Sequence, residues 1–183
     1  RIAFEGYLPP SVLQVPGAEE VAIEFNTLSK SHNMAGWRVG AAVGSPEVLT
    51  ALLKIKTHAD SGHFRPVLDA ATAALNGEQS WISERNAIYQ KRRDAVARGL
   101  NTLGLSFNVP RASLYLWASV PGSLSSMEST RKILDKAHVS LAPGTIFGQQ
   151  GEGYMRISIV QPLDRIEEAM QRIQHVMPGI IES

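Results

Sequence analysis

Apolar and polar positions along this chain switch between two periods, and the order of the switches predicts its elements. Val21-Ala22-Ile23-Glu24-Phe25 alternates weakly and closes on Asn26-Thr27, which predicts a short strand. Residues 37–44 are apolar and almost free of polar groups, the pattern of a strand buried on both faces. Ser45 as N-cap and Pro46 at the first helical position then open a helix over 47–57. A further helix is expected over 65–76, interrupted by Asn76-Gly77, and a long one over 79–103, stopped by Gly104. In the long helix, Trp81, Ile88, Ala95 and Leu103 supply widely spaced apolar points, while Lys91, Arg92, Arg93 and Asp94 read as a solvated face.

Residues 114–118 form the next strand candidate, and Pro121-Gly122 turns the chain. Ser125 with Glu128 three residues later is a capping box opening a helix that runs to Ala137. A short strand over 139–142 precedes a stronger one over 154–160, where Met155, Ile157 and Ile159 alternate with Arg156 and Ser158. The last helix is expected over 164–177. Residues 1–20 are loop-rich, punctuated by Pro9-Pro10 and Pro16-Gly17. Strands alternating with helices give an α/β fold class.

Composition narrows the function. The formal net charge of +1 argues against nucleic acid or an anionic membrane as partner. No stretch approaches the roughly 20 apolar residues that cross a bilayer. The chain has no cysteine, so disulfides, thiolate chemistry and cysteine metal sites are excluded; no metal site is expected, and a cytoplasmic location fits. Arg1-Ile2-Ala3-Phe4 reads like an element already under way, the expectation being a fragment of something longer.

The densest chemistry lies in Thr27-Leu28-Ser29-Lys30-Ser31-His32-Asn33-Met34-Ala35-Gly36-Trp37-Arg38-Val39-Gly40. Two small hydroxyl residues precede a lysine at a strand end, and an arginine follows eight residues later. Hydroxyls and a guanidinium are natural donors to a phosphate. A lysine beside them can hold an anion or act as a nucleophile. Spacing alone favours the plainer reading, a surface lysine and an arginine at the end of a strand.

The segment also resembles the cofactor-lysine signature of the class I/II aminotransferases, which are fold-type I pyridoxal-phosphate (PLP) enzymes. Asn33, Gly36, Arg38, Val39 and Gly40 fill that signature's places after the lysine, and Thr27 stands where Ser or Gly is usual. The resemblance implies that Lys30 forms the Schiff base with the cofactor aldehyde and shuttles the proton. Thr27, Ser29 and Arg38 would contact the cofactor phosphate, and His32 and Asn33 would be structural. A second resemblance lies in Ala142-Pro143-Gly144-Thr145-Ile146-Phe147-Gly148 followed by Gly151-Glu152-Gly153-Tyr154-Met155-Arg156. In that group the arginine of this strand grips the substrate α-carboxylate, a place Arg156 fills.

The likeness spans essentially the whole chain. It implies the end of the large-domain sheet plus a small α/β domain: 1–78 as the last part of the PLP-binding domain, 79–103 as the connecting helix, 104–183 as the small domain. The ring-binding half of such an enzyme is not assignable here, so the chain alone is expected to be inactive. The implied reaction moves an amino group between an α-amino acid and a 2-oxo acid, in a homodimer. Gly6-Tyr7-Leu8-Pro9-Pro10-Ser11 and Val15-Pro16-Gly17-Ala18 resemble members assigned to aspartate or diaminopimelate. Carbon–sulfur lyases share the same anchors, and some regulators carry such a domain as a PLP sensor.

Overall fold

The computed structural model describes residues 1–181. They form two compact units, one of Arg1–Ile2 with Leu8–Ile82, the other of Ala3–Tyr7 with the chain from Ser83 on.

In the first unit, helix α1 (Ala18–Val21) leads into strand β1 (Ile23–Thr27), the single turn α2 (Leu28–Ser31) and strand β2 (Gly40–Gly44). Helices α3 (Pro46–Ala59) and α4 (Arg65–Asn76) follow. β1 and β2 pair antiparallel from Ile23↔Gly44 to Thr27↔Gly40. Gly40 is dictated by this pairing, because a Cβ there would stand 2.6 Å from the Asn26 carbonyl oxygen. The Ser45 hydroxyl accepts the Val48 N–H at 3.4 Å, with Pro46 opening α3 as its sequence demands.

The apolar run 37–44 is not a strand buried on both faces. Ala35–Trp37 is a 3-10 turn, Arg38 turns the backbone left-handed, and pairing begins only at Gly40. Val43 and Phe25 are exposed among the described residues, where β1 and β2 pair only with each other. The core of this unit is a small cluster of Leu28, Met34, Val39 and Ala71, against which Val67, Ala70 and Ala74 of α4 pack. α3 buries none of its residues, and Leu53 and Ile55 face outward.

The second unit is built on α5 (Trp81–Thr102) from Ser83 on, β3 (Tyr115–Ser119), α6 (Ser126–Ala137), β4 (Ala142–Pro143), β5 (Tyr154–Ser158), α7 (Leu163–Val176) and α8 (Pro178–Ile181). The three strands form an antiparallel sheet ordered β3-β5-β4, with Trp117↔Arg156 and Ala142↔Arg156 in register. Alternation sends Leu116, Ala118, Met155 and Ile157 to one face, where all are buried. Ile133 of α6 and Ile166, Met170 and Ile173 of α7 are buried with them. Each such side chain contributes about 2 kcal/mol by leaving water. The predicted capping box of α6 is present: the Ser125 hydroxyl accepts the Glu128 N–H and Glu128 accepts the Ser125 N–H.

The charged run in α5 is not a solvated face throughout. Lys91 is exposed, but Arg93 is only 2 % exposed. Helical spacing sets residue 93 on the stripe of Val96, Ala97 and Leu100, which are buried, whereas Ile88 is exposed. Arg93 can occupy that stripe because each of its three nitrogens meets an acceptor. It pairs with Glu5 at 2.6 Å and Asp94 at 2.7 Å, donates to the Pro110 carbonyl at 3.1 Å, and lies 4.9 Å from the Phe4 ring centroid. Burial opposes the charge, and the two carboxylates outweigh it, so the pKa of Arg93 is raised. Arg93→Ala is therefore expected to destabilise this unit by about 3 kcal/mol in urea denaturation. Arg93→Met, which retains the stem against Phe4, should lose visibly less. Equal losses for the two variants would show that packing plays no part.

Candidate functional site

Lys30 is placed by its neighbours rather than by contacts of its own. Leu28 is buried in the core of the first unit, donates its N–H to Val39 O at 3.3 Å and accepts that of Met34 at 3.2 Å. This pins the start of α2. Thr27 caps the turn: its Oγ1 accepts the Ser29 N–H at 3.1 Å and stands 3.0 Å from the Ser29 hydroxyl. Ser31 donates from its hydroxyl to the Thr27 carbonyl at 3.0 Å. Two residues past the anchored Leu28, Lys30 is exposed, and its ammonium makes no hydrogen bond or ion pair among the described residues.

Lys30 lines an open cavity of about 410 Å³ with Thr27, Asn26, Glu24, Pro9 and Pro10. That volume lies within the ordinary range for small-molecule sites. Glu24 is the one acid on this wall. It accepts from the Ser11 hydroxyl at 2.5 Å, the Asn26 amide at 2.9 Å and the Val12 N–H at 3.2 Å. Its pKa is held below the ordinary value chiefly by the Ser11 hydroxyl, then by Asn26. The sequence reading did not single out Glu24. Its signal was a lone acid within an apolar strand, too weak to separate from a solvated position.

The other sequence candidates fall around this turn. Ser29 is joined to Thr27 by hydrogen bonds. Arg38 lies two residues before Gly40, the ladder partner of Thr27, but is not on the cavity wall. It is exposed, holds a left-handed backbone at φ 52°, and donates to Ala35 O at 3.0 Å. Asn33 has φ 54°, a conformation asparagine tolerates better than most residues. His32 is engaged within the unit, 3.0 Å from the Ser31 hydroxyl, 3.3 Å from Gln79 Oε1, and edge-on to Trp81.

Arg156 belongs to the second unit, on the central strand β5 rather than at an edge. It occupies the sheet face opposite Met155 and Ile157, together with Tyr115, Trp117 and Tyr154. Its guanidinium carbon is 4.2 Å from the Tyr115 ring centroid and 4.5 Å from that of Phe147. Trp117 stacks on Tyr154 at 5.8 Å and meets Phe147 edge-on at 5.7 Å. No described residue accepts a hydrogen bond from the Arg156 guanidinium or forms an ion pair with it.

A free amine beside a capped, hydroxyl-bearing turn can bond a carbonyl compound and hold an anionic group. A half-buried guanidinium with its fork free can take a carboxylate through two parallel bonds. Comparison with known proteins runs the same way. The family model for aminotransferase class I and II matches residues 4–173. The chain is 45% identical over 174 residues to LL-diaminopimelate aminotransferase 2 of Trichormus variabilis, covering 95% of this chain and 45% of that protein. It is 44% identical over 177 residues to LL-diaminopimelate aminotransferase of Moorella thermoacetica, covering 97% and 45%. Among solved structures it is similar to a probable N-succinyldiaminopimelate aminotransferase from Thermus thermophilus, with TM-score 0.89 and 36% identity over 95% of this chain and 46% of that one. The chain thus spans less than half the length of these relatives.

Proposed function

This chain belongs to the aminotransferase class I and II family, and from that premise we propose that it is the lysine-bearing part of an enzyme that moves an amino group from an α-amino acid to a 2-oxo acid. The observation that carries the reading is the Lys30 ammonium: exposed on a cavity, held on a short capped turn, and engaged by no described residue.

Pyridoxal 5′-phosphate, when bound, supplies an aldehyde that a primary amine can join and an electron sink for the substrate α carbon. The residues present suit it. Lys30 would hold the cofactor and afterwards carry the proton released at the substrate α carbon. The Thr27 and Ser29 hydroxyls and the Arg38 guanidinium would donate to its phosphate. Arg156 grips the substrate α-carboxylate and so fixes the orientation of the reacting carbon. The named relatives support LL-diaminopimelate as the amino donor. We take the working enzyme to be a cytoplasmic homodimer. Among the described residues no helix is long and apolar enough to cross a membrane.

The full-length protein, loaded with cofactor and reduced with borohydride, is expected to carry a phosphopyridoxyl mass on the proteolytic peptide containing Lys30. The same preparation should transfer nitrogen from LL-diaminopimelate to a 2-oxo acid acceptor. Label on another lysine would overturn the site. Release of free ammonia without an amino acceptor would replace the transferase reading with a lyase.

A further inference from the structure

We propose that Tyr115 and Phe147 are positioning residues for Arg156, two ring faces that hold its guanidinium in place while leaving all its donors free for a carboxylate. The inference rests on the reading of Arg156 as the carboxylate grip and deepens it.

A long arginine side chain has many rotamers, and a loose arginine loses that freedom on binding its ligand. Holding it beforehand removes that cost, but the means of holding matters. A carboxylate neighbour would occupy the fork and compete with the substrate. An aromatic face attracts the cation through its π cloud and consumes no N–H. Arg156 has two such faces, at 4.2 and 4.5 Å, and no acceptor among the described residues.

Arg93 shows the contrast within the same unit. It also has a ring, Phe4 at 4.9 Å, but its fork is filled by Glu5, Asp94 and the Pro110 carbonyl. A saturated guanidinium fastens the fold; one held only by rings remains available to a ligand. The supports of the Arg156 cage are themselves fixed. Tyr115 stands on β3, paired with Ser158. Phe147 ends the 3-10 turn Gly144–Phe147 and is met edge-on by Trp117.

The test is steady-state kinetics of the full-length, cofactor-loaded protein with four variants, Tyr115→Leu, Tyr115→Phe, Phe147→Leu and Arg156→Gln. Tyr115→Leu and Phe147→Leu are each expected to raise KM for the amino acid by about 5- to 10-fold, with kcat within about twofold. Tyr115→Phe, which restores the ring without the hydroxyl, should return KM to about the unmodified value. An amino-acid amide, lacking the carboxylate, should show no such change in KM. Phe147 is half exposed, so Phe147→Leu reads the effect even if Tyr115→Leu folds poorly. If Arg156→Gln raises KM steeply while the ring variants leave it unchanged, the proposal falls and the role of Arg156 stands. If Arg156→Gln leaves KM unchanged, both fall. A defect in Tyr115→Phe equal to that of Tyr115→Leu would move the effect from ring to hydroxyl and also overturn the proposal.

Discussion

Lys30→Ala in the full-length protein is expected to lower kcat of the cofactor-loaded form by about four orders of magnitude while leaving the stability of the cofactor-free form within about 0.5 kcal/mol. The separation of the two effects follows from the site. Lys30 is exposed and makes no hydrogen bond or ion pair among the described residues, so the folded chain loses no contact with it. On the proposed role of Lys30, the chemistry would lose the amine that joins the cofactor and the base that moves the proton. Lys30→Arg should be as inactive, because a guanidinium stays protonated and does not form the required bond. Small primary amines added to the alanine variant should restore part of the rate, since they supply the missing base. The measurement is single-turnover kinetics beside a urea titration. A variant that keeps most of the wild-type rate would remove Lys30 from the mechanism.

The largest stability loss is expected at two glycines far from Lys30 in sequence. In the loop between β4 and β5, the backbones of Gly144 and Gly151 touch, and a Cβ on either would overlap the carbonyl oxygen of the other. Nothing flexible stands at that contact, so the loop must open to admit a methyl group. Gly144→Ala and Gly151→Ala should each cost about 3 kcal/mol or more. Gly179→Ala is the control, since its new methyl group would meet only the end of Lys136 at 3.8 Å. It should change stability by less than about 0.5 kcal/mol. The loop also carries Phe147, so the two damaging variants should raise KM as well as lower the urea midpoint. A loss below about 1 kcal/mol would mean that the contact yields easily.

Much of the fold was legible because its signals were local. Ser45-Pro46 marked the start of α3, Ser125 with Glu128 marked α6, and the alternation around Met155 and Ile157 marked β5. The errors share one cause: a sequence pattern reports a preference for burial but not whether a second layer exists to satisfy it. The run 37–44 has that preference, yet the first unit gives it only two paired strands. Arg93 shows the converse, a charge made compatible with burial by Glu5, 88 residues away in the chain. No local pattern contains that pairing. Lys30 and Arg156 could be singled out from motifs, but the rings around Arg156 could not. Tyr115 and Phe147 approach it only through the sheet register and a tight loop.

The register of β5 also bears on how such a site can change over generations. Arg156 lies between Met155 and Ile157, which point the other way into the core. Shifting that strand by one residue would expose both apolar neighbours and turn the guanidinium inward. The arginine therefore cannot wander without unfolding its own support. If Arg156 grips the substrate as proposed, new substrates must be accommodated by altering what surrounds a fixed cation, so drift in specificity should accumulate at the aromatic positions and in the loop, while the strand itself stays put.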